Sequence, residues 1–161
     1  HKMLYDARRA VDILLAQPGV DPQRIAAVGH SLGAKEVLYL AAFDERIKAT
    51  VASEGGLALR STNWDAPWYL GPTLREADFP RNHHELVALT APRALLILGG
   101  ESGAGAADGD RSWPLIEAAI PIYSLSGKPA RVGLLNHHQG HSISPESFER
   151  IAEWLEAYTS K

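Results

Sequence analysis

Gly29-His30-Ser31-Leu32-Gly33 sets a serine between two glycines. A serine hydroxyl is a poor nucleophile at neutral pH and attacks an acyl group only when a nearby base takes its proton. The short apolar run Ile25–Gly29 precedes the motif, and the Ala- and Leu-rich stretch Leu32–Phe43 follows it. A sharp turn from strand to helix lifts the hydroxyl clear of the sheet, and small flanking residues permit the turn. The N–H of the next residue, Leu32, then faces a developing oxyanion. Five letters of this kind also occur in ordinary strand-to-helix turns. The chemistry requires the strand before and the helix after, and both are legible here.

A base and an acid must follow. His137, His138 and His141 cluster in Asn136-His137-His138-Gln139-Gly140-His141-Ser142. His141 is the expected base, because Gly140 frees its approach and it lies farthest out on the loop. His137 and His138 are expected to pack or hydrogen-bond locally. Three histidines also raise metal binding, but their spacing is not that of a helical zinc site, so no metal or other cofactor is expected. His83 and His84 read as pocket-lining or structural.

The acid that orients the imidazole has two candidates, both after the serine and before the histidine. Asp110, in Asp110-Arg111-Ser112-Trp113-Pro114, is the first choice, and Glu54, at the end of the next strand, is the alternative. One of Asp108 and Asp110 is expected to serve the N-terminus of the following helix. Trp64, Trp68 and Trp113 offer flat apolar faces to a sugar ring or an acyl group. Lys35 reads either as a solvated helix lysine or as a ligand for the substrate.

The elements that must position these groups follow from periodicity. Leu4, Ala7, Val11, Leu14 and Leu15 recur at helical spacing, which predicts a helix over about 4–16. Strands are expected at Ile25–Gly29, Ile47–Ser53, Ala94–Leu98 and Arg131–Leu135, and helices at Leu32–Phe43, Glu85–Leu89, Pro114–Leu125 and Pro145–Tyr158. Strands alternating with helices imply an α/β fold, a parallel sheet with helices on both faces. Residues 54–84 have no clean period but carry Trp64, Trp68, Tyr69 and Phe79. A loop of that length with such aromatics predicts an ordered lid or pocket wall.

Composition bounds the alternatives. The chain has 161 residues, enough for one domain, with a net charge of −3 and both signs interspersed. There is no basic stripe, and no nucleic-acid partner is expected. No apolar run approaches the roughly 20 residues that a spanning helix needs, and no membrane partner is expected. With no cysteine, disulfides and thiol chemistry are excluded.

With Ser31, Asp110 and His141 in this order, nearly the whole chain resembles the C-terminal half of an α/β-hydrolase. Asp110-Arg111-Ser112-Trp113-Pro114 is similar to the acid loop of the dienelactone-hydrolase-like and carbohydrate-esterase branches. The stretch from Ala42 to Ile47 is similar to their helix-to-strand junction. A narrower likeness is to glucuronoyl esterases. There a lysine four residues after the nucleophile contacts the uronic acid, and Lys35 matches it. Glu54 matches that family's glutamate, His83-His84 and Ala91-Pro92-Arg93 its entry to the next strand, and Asp65-Ala66-Pro67-Trp68 its tryptophan loop. The family carries an arginine right after the nucleophile, where this chain has Leu32.

The resemblance implies a serine carboxylic-ester hydrolase acting without a cofactor on a small-molecule ester, on acylated or uronic-acid sugars. The alternatives are a serine peptidase of the same fold and a non-catalytic half-domain that binds a partner. The fold also implies strands ahead of Ser31 and a second oxyanion N–H from among them. Without them the Ser31 strand is expected at an open apolar edge, with self-association through it. The sequence begins at His1, so a longer chain is expected; cytoplasmic and secreted locations both stay open.

Overall fold

The structure, a computed structural model, describes residues 2–127 and 131–160. Helices and strands alternate as α1 (Lys2–Leu15), β1 (Ala26–His30), α2 (Leu32–Phe43), β2 (Ala49–Ser53), α3 (His84–Thr90), β3 (Ala94–Gly99), α4 (Trp113–Leu125), β4 (Val132–Asn136) and α5 (Pro145–Thr159). Short 3-10 turns add Pro72–Arg75 and Asp110–Ser112. The strands form one sheet in the order β1-β2-β3-β4, and every pairing is parallel. Parallel neighbours cannot be joined by a hairpin, so the chain crosses over between each pair.

The central strands β2 and β3 are buried along their whole length. That is why Ala94–Gly99 reads as a continuous apolar run rather than an alternating one. On one face α2, α3 and α4 enclose Leu38, Val87, Leu95, Ile97, Ile116 and Tyr123. On the other, α5 sets Ile151, Trp154 and Leu155 against Val51, Leu96 and Leu98. The α1 helix packs Ala7 and Val11 on Leu40 of α2 and on Ile25 and Ile47.

Most element boundaries shift by one or two residues from those expected, and two of the shifts have a visible cause. Ile47 precedes β2, since its N–H turns back to the Asp44 carbonyl, yet its side chain is core. The polar break before it is held by Arg46, which bonds Asp44 at 2.5 Å and Asp12 of α1 at 2.6 Å. Arg131 falls just outside β4, although its carbonyl already accepts the Leu95 N–H.

The long segment between β2 and α3 is built around its own small core. Leu59, Trp64 and Leu74 are buried there against Tyr39 of α2 and Tyr69, Leu70 and Phe79. The indole N–H of Trp64 donates to the Gly56 carbonyl at 2.6 Å. At the other margin, β1 is an edge strand, and Val28 on it is 51% exposed.

Candidate active site

Ser31 sits between β1 and α2 with φ 59° and ψ −117°. This is the strained elbow that the motif requires of a nucleophile. Its N–H bonds the Ser53 carbonyl at 2.8 Å, which ties the elbow to the end of β2. A side chain at Gly29 would run into the Gly33 carbonyl, so glycine is required there. At Gly33 a Cβ would meet nothing, and the second glycine has no such role within the described residues. Leu32 opens α2, so its N–H is one of the donors that a helix leaves unpaired at its start.

Two buried carboxylates organise the ends of the strands. Glu54 follows β2 in a left-handed conformation, φ 56°, and is almost fully buried. Its Oε1 accepts from Gly100 N–H at 2.6 Å and its Oε2 from Ala107 N–H at 2.8 Å. His137 Nε2 lies 3.1 Å from the same Oε1 but out of line for a hydrogen bond. His137 Nδ1 accepts from Gln139 N–H at 3.1 Å, which leaves the proton on Nε2, toward the carboxylate. Asp108 accepts from Gly56 N–H at 2.9 Å, Leu57 N–H at 2.7 Å and the Ser112 hydroxyl at 2.7 Å. Burial pushes its pKa up, against the pull of those donors.

The histidine loop lies directly on the glycine-rich loop after β3. A Cβ on Gly100 would collide with the Gln139 carbonyl, and Ala104 accepts the His141 N–H at 3.1 Å. His141 is exposed, and its ring stands 4.7 Å from that of His30, the residue just before Ser31. His30 Nδ1 is 3.1 Å from the Ser53 hydroxyl. Burial, and then the neighbouring His141, hold the His30 pKa below the ordinary histidine value. His138 is surface-exposed beside Glu101 at 3.4 Å.

Several expectations need correcting. Asp110, the first choice of acid, is exposed, and its carboxylate accepts from Asn136 Nδ2 at 2.9 Å. The buried carboxylate that meets a histidine of this loop is Glu54, 3.1 Å from His137 Nε2. Neither aspartate caps α4: Ser112 stands at its N-cap without a side-chain bond, and Asp108 ties the loop after β2 instead. Trp64 is only 2% exposed, because it is the core of its own segment, and offers no open face. Trp68 and Trp113 are exposed, at 67% and 43%.

Lys35 is no solvated lysine. It is buried, donates to Thr62 Oγ1 at 2.6 Å, and sits 3.7 Å above the Trp64 ring. Burial lowers its pKa to about 8. His83 is buried and structural, with Nδ1 on the Leu57 carbonyl at 2.9 Å and Nε2 3.3 Å from the Tyr39 hydroxyl. Among the described residues no group of three or more histidines or carboxylates could hold a metal ion. The role of Asp108 as the tie to the loop after β2 was not foreseen; the sequence suggested only a place at the start of α4. Its sole local signal was its place beside Gly109 after a buried strand.

The sheet, its crossovers and the serine elbow make this the α/β-hydrolase fold. Residues 7–67 match the family described as BAAT / Acyl-CoA thioester hydrolase C terminal. A glucuronoyl esterase of carbohydrate esterase family 15 from Caldicellulosiruptor kristjansonii superposes with a TM-score of 0.81 at 23% identity, over 95% of this chain and 48% of its own. In sequence, the chain is 28% identical over 116 residues to "4-O-methyl-glucuronoyl methylesterase 1" of Sodiomyces alcalophilus, covering 56% of this chain and 23% of the relative. It is 32% identical over 104 residues to "Putative hydrolase YtaP" of Bacillus subtilis, covering 61% and 34%. The chain therefore spans about half the length of the solved relative and between about a quarter and a third of the curated ones.

Proposed function

We propose that the protein containing this chain is a serine carboxylic-ester hydrolase acting on esters of uronic-acid sugars. The observation that carries this is the strained Ser31 elbow, with the His141 ring tilted against the adjacent His30 and the buried Glu54 carboxylate beside His137 of the same loop. Ser31 Oγ attacks the ester carbonyl and His141 takes its proton. The Leu32 N–H stabilises the oxyanion. His141 returns the proton to the departing alcohol, and water then releases the acid by the same route in reverse.

His141 is preferred to His137 as the base because His137 Nδ1 accepts from Gln139 and its Nε2 is buried against Glu54 at 3.1 Å, whereas His141 is exposed beside His30. Glu54 replaces Asp110 as the acid. Its negative charge steadies the imidazolium, and through His137, Gly100 and Ala107 it fixes the loops on which His141 stands. A uronic-acid sugar is supported by the relatives' names and by Lys35. Its ammonium is held under Trp64 by Thr62, within the segment that would face the sugar. Trp68 and Trp113 remain as open faces for a ring.

The test compares the full-length protein with its Ser31→Ala variant. A fluorophosphonate probe should label Ser31 in the parent alone. Turnover of a benzyl glucuronate ester should exceed that of a peptide anilide and of an acyl-CoA thioester. The variant should lose several orders of magnitude in kcat, as removal of a triad nucleophile does. Full activity in the variant, or a preference for the anilide, refutes the reading.

A further inference from the structure

A groove of about 350 Å³ opens between the Trp64 segment and the start of α4. Arg60, Arg81 and Arg111 line it, over a floor that includes Leu74, Phe79 and Leu115, and no carboxylate is among its lining residues. All three arginines are exposed. Arg111 donates to two backbone carbonyls, those of Ala106 at 3.2 Å and Glu101 at 2.6 Å. Arg60 reaches the Glu76 carbonyl at 3.4 Å. Backbone carbonyls orient a guanidinium without pairing its charge, and among the described residues the bonds of these two go to carbonyls rather than carboxylates. Arg81 alone has a carboxylate partner, Glu85 at 3.2 Å, on the exposed flank of α3. In a chain with net charge −3, a groove holding three cations and no anion is a local inversion of sign.

Arginine forks match a carboxylate in two parallel bonds, and such charge-assisted bonds are about twice as strong as neutral ones. An aromatic ring beside them suits the flat apolar face of a sugar. None of the residues at the Ser31 site lines this groove. We infer that it is a second subsite, which binds a free uronate on the same polysaccharide that presents the ester to Ser31. The substrate class rests on the proposed ester hydrolysis, but the subsite does not depend on it. An ester-bearing uronosyl unit has lost its charge, whereas unesterified neighbours keep theirs. A cationic groove away from the serine would hold the chain through those neighbours.

The experiment uses the full-length protein with Ser31→Ala, so that binding is read without turnover. Calorimetry is run with a glucuronate-bearing xylo-oligosaccharide, its carboxyl-reduced neutral counterpart, and coenzyme A. The acidic sugar should bind, with an affinity that weakens as salt rises, and the neutral one should not. Adding Arg60→Gln and Arg111→Gln should cost at least about tenfold in Kd, which is the loss of roughly one charge-assisted contact. Arg60→Lys with Arg111→Lys should recover part of it, and Arg24→Gln, outside the groove, should change nothing. On the active protein, the double glutamine variant should raise KM for the acidic polysaccharide ester and leave kcat/KM for a small methyl ester as it was. Equal binding of the neutral sugar, an unchanged Kd in the glutamine variant, or tighter binding of coenzyme A through the same arginines overturns the inference. Loss of ester activity with uronate binding intact would instead strike the Ser31 reading alone.

Discussion

Ser31, Glu54 and His138 are the non-glycine residues with positive φ among those described, and all three lie at the ends of β1, β2 and β4. Strained conformations persist only where surroundings over-determine them, and they gather at functional sites. For Glu54 the surroundings are two backbone N–H groups and His137. Glu54→Gln would turn an amide NH2 toward one of those donors and remove the charge facing the imidazole, so kcat for the ester should fall at least about a hundredfold. Asp110→Asn, at an exposed residue whose partner is the half-buried Asn136, should change kcat by less than about threefold, the scale of a surface substitution. A pair of kcat measurements decides it, and a severe loss confined to Asp110→Asn would restore that residue as the acid. The residue types that the proposed chemistry needs were visible in the sequence in the right order. Which carboxylates are buried was not, because the aspartate loop looks the same in sequence whichever of its carboxylates turns inward.

Lys35 makes a second test at this scale. Burial lowers its pKa to about 8, so the ammonium is present below that and lost above it. If the charge serves a uronic-acid substrate, kcat/KM for the glucuronate ester should fall as pH rises through about 8. Lys35→Met keeps the packing under Trp64 and removes the titration. A pH–rate profile of that variant with the same basic limb would rule Lys35 out as its source.

At the scale of elements, strands and helices were legible because their periods are local. The Trp64 segment was legible only as ordered. Its fold depends on Asp108, which bonds Gly56 and Leu57 from 52 and 51 residues away, and on His83 at the entry to α3. No window of sequence carries a contact of that reach. His83 is 3% exposed, and burial lowers its pKa to about 4. An unfolded histidine titrates near 6.5, so above that pH His83 is neutral in both states and costs nothing. As pH falls from about 6.5 to 4 the unfolded chain takes up a proton that the folded chain refuses, and stability is lost over that window. The full loss is about 3 kcal/mol, the free-energy equivalent of a pKa lowered from 6.5 to about 4. Denaturant unfolding of the parent and of His83→Asn between pH 7 and 4 should show the parent losing stability more steeply, and parallel curves would remove His83 as the cause.

At the scale of the whole molecule, the sheet has an exposed margin where the site is built. β1 carries Ser31 at its end and, among the described residues, pairs on one side alone, with β2. Val28 and Leu32 are about half exposed beside it, and no proline or charge interrupts Ala26–His30. An unpaired apolar edge is a template for another strand. It also leaves the oxyanion with the Leu32 N–H, where acyl transfer ordinarily uses a second donor worth about a hundredfold to a thousandfold in kcat. The 161-residue chain taken alone should therefore self-associate and turn over p-nitrophenyl acetate at least about a hundredfold more slowly than the full-length protein. Placing a lysine on the edge, as Val28→Lys, should shift the association toward monomer in light scattering without restoring turnover, because charge blocks pairing but supplies no donor. A monodisperse parent chain with full esterase activity would mean that the segment around Trp64 already covers the edge and completes the hole.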